Sequence, residues 1–117
     1  MNSDIKIMLV IYQTTEYDWL GDKIHDVNRL TKHHIVKKEL GGENGVSNYA
    51  LLTPKSHKLV HLLEEKDPAL FESINLLFLE LNRSMQPPTE NYYKRINNIL
   101  RKNKSLTKEF KPKKSRY

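Results

Sequence analysis

Residues 31–63 read TKHHIVKKELGGENGVSNYALLTPKSHKLVHLL, and the punctuation inside this stretch decides the fold. Gly41, Gly42 and Gly45 place three glycines in five residues, a loop with positive φ angles. Before it, Ile35, Val36 and Leu40 flank the adjacent His33 and His34 in a short β-favouring run. After it, residues 49–52 return as a second strand, which gives a hairpin across roughly residues 32–52 with a long connection. Thr53-Pro54 then opens a helix, threonine as the cap and proline at the first helical position, running to about Glu65 with Leu59, Leu62 and Leu63 on one side.

The flanks add helices downstream and a strand upstream. Asp67-Pro68 starts a second helix whose Leu70, Phe71, Ile74, Leu77, Phe78 and Leu81 recur at three and four residues, up to a stop before Pro87-Pro88. A third helix follows Thr89, with Tyr92, Tyr93, Ile96, Ile99 and Leu100 inward. At the other end, Ile5, Ile7, Leu9 and Ile11 alternate along a β-branched run that predicts a strand over residues 5–12. Residues 13–21 read as a loop, and Ile24, Val27 and Leu30 predict a helical turn or two. The expected class is α+β: one domain over residues 1–100, with its motif core at 31–63, and a basic, flexible extension over 101–117.

Charge is unevenly spread. The net charge of +6 comes from residues 29–61, with 6 basic side chains against 2 acidic, and from residues 101–117, with 8 against 1. Two basic regions on an otherwise slightly acidic chain suit a polyanion, because lysine and arginine at phosphates release counterions regardless of sequence. There is no cysteine, which excludes a disulfide framework, a thiolate nucleophile and a cysteine zinc site. No apolar run approaches the ~18 residues of a membrane span, and the first residues lack the basic flank of a signal peptide, so the expected compartment is the cytoplasm without a membrane partner.

A metal site in such a chain must be built from histidine and carboxylates, and four of the five histidines fall within residues 33–61. His57 and His61 are four apart and share a helix face, so both imidazoles can reach one ion. A third imidazole from the hairpin would make a three-histidine site with an open fourth position, the arrangement of a catalytic metal. His33 and His34 point to opposite faces of a strand, so one is a ligand and the other is left as a base near neutral pH. Asn48, after the glycine loop, could supply from its backbone or side chain the oxygen that fixes the base's other nitrogen, the competing reading being a buried asparagine that satisfies the loop. His25, outside the cluster, reads as a surface residue.

The pattern H-H-I-x5-G-G-x5-N-x2-L-L-x4-H-x3-H over these residues resembles the HNH endonuclease motif, in the histidine-rich form of colicin-type DNases. The resemblance implies a ββα-metal fold and metal-dependent hydrolysis of nucleic-acid phosphodiester bonds, leaving a 5′-phosphate and a 3′-hydroxyl. Carried over by position, His34 is the general base, Asn48 orients it, and His33, His57 and His61 bind one divalent metal. Three imidazoles favour Zn, Ni, Co or Mn, with Mg also able to serve. Lys32, Lys37, Lys38, Lys55 and Lys58 surround the motif and are expected to grip phosphates of DNA, or of RNA. Lys37 stands where many relatives have proline, and the cysteine pairs of a second zinc site found in many relatives are absent. With no second DNA-reading domain in evidence, sequence specificity would be low or supplied by a protein partner. The competing reading is a non-catalytic nucleic-acid-binding module that retains the metal-centred scaffold, and a hydrolase of another phosphoester is a third.

Overall fold

The computed structural model describes residues 2–110, 112 and 113. The chain is α+β, with a two-stranded antiparallel sheet set among helices. Strand β1 (Thr31–His34) pairs with β2 (Tyr49–Leu52), in a register that sets His33 opposite Ala50 and His34 opposite Tyr49. Helix α2 (Pro54–Lys66) follows β2 directly. Thr53 caps it as expected, its hydroxyl accepting from the Ser56 amide with Pro54 at the first position. Asp67 ends α2 and caps α3 (Pro68–Ser84), and Thr89 caps α4 (Glu90–Leu100).

The expected strand over residues 5–12 is instead helix α1 (Ser3–Tyr12). Asn2 caps it, its side chain accepting from the amides of Asp4 and Ile5. Ile5, Met8 and Tyr12, three and four apart, are buried, while Ile7 and Val10 face solvent. The run is apolar on nearly every face, so alternation and helical spacing coexist in it, and the cap together with tertiary packing selects the helix. Tyr12 shows how: its ring meets Trp19 edge-on at 4.8 Å, and its hydroxyl donates to the Asn82 carbonyl at 2.5 Å.

The helical reading of residues 22–30 reduces to one 3₁₀ turn, Val27–Arg29, capped by Asp26. Ile24 is held by a backbone bond to Glu16 instead, beside the isolated bridge between Tyr17 and Lys23. On α2, Leu62 is exposed, and Val60 takes the inward place beside Leu59 and Leu63. The segment expected to be a flexible basic extension is packed as far as it is described. It makes a 3₁₀ turn, Arg101–Asn103, and a short helix α5 (Lys104–Thr107), and buries Phe110. The Lys113 amide donates to the Gly21 carbonyl, and its own carbonyl accepts from Asn97. The remaining positions of that expectation, Lys111 and residues 114–117, lie outside the described residues.

One core unites these elements, with Trp19, Tyr12, Phe78, Leu51, Leu52 and Leu63 fully buried. Among the described residues, no helix is long and apolar enough to cross a membrane.

Candidate metal centre

Two elements bring the histidines together. β1 turns His33 inward until it is 4% exposed, and α2 carries His57 and His61 one turn apart. The His57 and His61 rings stack at 4.8 Å between centroids, and both meet the His33 ring nearly edge-on, at 5.7 and 5.9 Å. One ring nitrogen from each lies within 4.8 Å of the others. The start of α2 is fixed from outside the hairpin, since the buried Asp18 carboxylate accepts from the Thr53 amide at 2.8 Å and Asp22 accepts from the Thr53 hydroxyl at 2.7 Å.

The hydrogen bonds settle which nitrogen each ring presents. His57 Nδ1 is 2.7 Å from Thr31 Oγ1, whose hydroxyl proton goes to the Leu52 carbonyl at 2.8 Å. The threonine oxygen must therefore accept, so Nδ1 carries the proton and Nε2 keeps its lone pair. His33 Nε2 lies 2.9 Å from Asn75 Oδ1, an oxygen assigned by the Asn75 amide nitrogen donating to the Ile35 carbonyl at 2.6 Å. That leaves His33 Nδ1 free. His61 Nδ1 faces Glu64 Oε1 at 3.3 Å and leaves Nε2. Each imidazole thus has one nitrogen engaged by an acceptor and the other available, the pattern in which metal-binding histidines are held and made more basic. One nitrogen from each of the three rings lies near enough to the others for the set to hold a metal ion, and the hydrogen bonds leave Nδ1 of His33 and Nε2 of His57 and His61 for that purpose.

Burial favours the neutral form of the His33 and His57 rings. It pushes the His33 imidazole down to about 4, with His57 and His61 adding to the depression against the Asn75 bond. His57 is lowered too, first by burial and then by His61 and His34. Neutral imidazole is the form that binds a metal.

His34 occupies the other face of β1, half-buried, its ring 5.1 Å from that of Tyr49 and edge-on to it. It borders the same open cleft as the three clustered histidines, about 360 Å³ in volume and also lined by Lys32, Lys37, Lys38 and Glu64. Its hydrogen-bond partner is not the one expected. Asn44 Oδ1 lies 2.9 Å from His34 Nε2, whereas the buried Asn48 side chain is spent on the loop. Asn48 Oδ1 accepts from the Val36 amide at 2.8 Å, and its Nδ2 donates to the carbonyls of Val36 and Glu43, both at 2.9 Å.

The lysines divide into two groups. Lys32, Lys37 and Lys38 line the cleft, but Lys37 is paired with Glu64, which holds that carboxyl below its usual range. Lys32 lies 4.9 Å over the Tyr49 ring. Lys55 and Lys58 border a separate groove with Leu106 and Phe110, which meets the cluster only at His61. His25 is exposed and outside the cluster.

Sequence reasoning missed Thr31, Asn44, Glu64 and Asn75. Asn75 left a trace: it is seven residues before Asn82, one helical face of α3, and both amides bond to the hairpin, Asn82 donating to the carbonyls of Val46 and Tyr49. Comparison with protein-family models, curated proteins and solved structures finds no match to this chain.

Proposed function

We propose that the chain is a metal-dependent endonuclease that hydrolyses phosphodiester bonds of DNA, built on a ββα-metal arrangement of the HNH kind. The observation that carries this reading is the division of labour among four imidazoles: three that each bring one nitrogen within 4.8 Å of the others, and a fourth bordering the same cleft outside that set. His33, His57 and His61 would hold one divalent cation, which supplies positive charge to the phosphoryl and leaving oxygens when bound.

The chain's own groups account for the rest. His34 takes a proton from the attacking water at its ring nitrogen, a task suited to imidazole near neutral pH. Lys32 and Lys38 stand at the cleft to contact flanking phosphates, and Lys37 joins them when a phosphate competes for its pairing with Glu64. Cleavage would leave a 5′-phosphate and a 3′-hydroxyl.

Supercoiled plasmid incubated with the chelator-stripped chain and then with Zn, Ni, Co, Mn or Mg tests the reading. Nicking that depends on added metal is the expected result. Stoichiometric metal binding with no cleavage in any of them would replace it by a non-catalytic nucleic-acid-binding module on the same scaffold.

A further inference from the structure

We infer that Asn44 is the positioning residue for His34, and that Asn48 acts on the site through it; the inference rests on the nuclease reading above. His34 Nε2 and Asn44 Oδ1 are 2.9 Å apart. An amide oxygen only accepts, so the ring nitrogen facing it carries the proton, and the lone pair is left at Nδ1, the atom that can receive a proton from water. On its strand face the ring has one aromatic neighbour, Tyr49. The bond to Asn44 fixes which of its two ring nitrogens the imidazole turns towards the loop.

Asn44 is itself exposed, so something else must hold it in place. The loop is fixed from beneath. Asn48 Nδ2 donates to the carbonyl of Glu43, the residue bonded to Asn44, and ties that peptide to Val36 through two further bonds. The loop folds so closely over the strand end that a Cβ on Gly42 would meet the Val36 carbonyl oxygen at 1.8 Å. The order of support therefore runs from buried Asn48, through the peptide between residues 43 and 44, to the Asn44 side chain and then to His34. Asn48 orients the base at one remove.

The test compares Asn44→Ala, Asn44→Asp, His34→Ala and the Asn44→Ala/His34→Ala double variant with the parent, in plasmid nicking with one supporting metal. Asn44→Ala should lower kcat about 10–100-fold, the range for loss of a group that orients a functional histidine. KM, zinc affinity and Tm should stay at parental values. Asn44→Asp keeps an acceptor oxygen and should restore kcat to within about threefold of the parent. The double variant should cut no more slowly than His34→Ala, because two residues acting as one unit are not additive. An equal further loss in the His34→Ala background, or an aspartate variant as slow as the alanine one, would overturn the inference.

A second readout is independent of cleavage. In the zinc-loaded chain, the His34 Nε2 proton should exchange slowly enough with water to give an NMR signal in the parent and in Asn44→Asp, and should vanish in Asn44→Ala. Persistence of that signal in Asn44→Ala defeats the positioning role. A parent that shows this pattern but never cuts defeats the nuclease reading alone.

Discussion

His57 Nδ1 and Thr31 Oγ1 lie 2.7 Å apart, a bond between the first residue of β1 and the helix that follows β2. Because the threonine hydroxyl donates onward to Leu52, a backbone carbonyl of β2 sets the tautomer of His57. Thr31→Val removes the acceptor while preserving shape and β preference. The expected result is a 10- to 100-fold weaker metal affinity, about what loss of such outer partners costs, with recovery in Thr31→Ser. Calorimetric zinc titration of the two variants measures it, and equal affinities for valine and parent would show that the bond does not orient the ligand.

The four histidines should separate into two phenotypes. His34→Ala keeps every proposed ligand, so it should bind one metal with parental affinity while losing about 10²–10⁴-fold in nicking, the usual worth of a general base. His57→Ala and His61→Ala should weaken metal binding first, with activity following it. Metal titration beside plasmid nicking gives both quantities for each variant. If His33→Ala retains full metal affinity and loses activity while His34→Ala cuts normally, the two strand histidines exchange roles.

Asn48→Ala should cost stability as well as rate. Its side chain satisfies three backbone groups of the loop, and leaving even one of them buried and unpaired costs about 1–3 kcal/mol. Denaturant unfolding should therefore show a lower midpoint, whereas Asn44→Ala, on the exposed side of the same loop, should not. Equal midpoints for Asn48→Ala and the parent would remove Asn48 as the loop's anchor.

How much of this was legible in the sequence depended on whether the signal was local. Thr53-Pro54, Asp67-Pro68 and the glycine cluster are short-range devices, and the helices and loop they predicted are where they should be. The gathering of His33, His57 and His61 followed from a hairpin and a helix in the right order. Helix α1 was not legible because its apolar residues surround it, so no period stands out, and its choice of state is made by contacts such as Tyr12 with Asn82, 70 residues away. The packing of residues 101–110 hung on single apolar residues, Leu106 and Phe110, in a lysine-rich run whose composition suggests solvation. Asn75 and Thr31 were invisible for a related reason: what they touch is fixed only by tertiary structure.

Among the groups whose shifts make stability depend on pH, His33 and Asp18 work in opposite senses. His33 is held neutral, at about 4 in the fold against 6.5 when exposed, so between those values the unfolded chain binds the extra proton. Its contribution is fully present above about pH 6.5 and is lost as pH falls towards 4. Asp18 is pushed up to about 6 by burial, against the amides that hydrogen-bond its carboxylate, so the folded chain binds the extra proton there and stability declines as pH rises from about 4 to 6. The parent curve alone mixes the two, and His33→Leu separates them. Thermal melts in chelator from pH 4 to 7 should show the Tm difference, parent minus variant, growing as pH rises. The slope decides, because the substitution also shifts absolute stability, and parallel curves would mean that His33 is not held neutral.

The basic C-terminal region should govern DNA affinity, but its packing changes how that is tested. Removing residues 101–117 would take away buried Phe110 and the Thr107 hydroxyl that bonds the Leu100 carbonyl at the end of α4, so a truncated chain would confuse folding with binding. Arg101, Lys102, Lys104 and Lys108 are exposed and can be neutralised to glutamine without touching that packing. Each of these side chains that contacts a phosphate releases counterions on binding and contributes about 0.9 to the slope of log affinity against log salt. The fourfold variant should therefore bind duplex DNA more weakly at low salt, with a shallower salt dependence and an unchanged Tm and zinc affinity. Fluorescence anisotropy from 50 to 200 mM salt measures both affinity and slope, the interval over which multi-phosphate contacts lose most of their strength. If the fourfold variant and the parent trace the same line, DNA binds elsewhere, and Lys32, Lys37 and Lys38 at the cleft become the next side chains to neutralise.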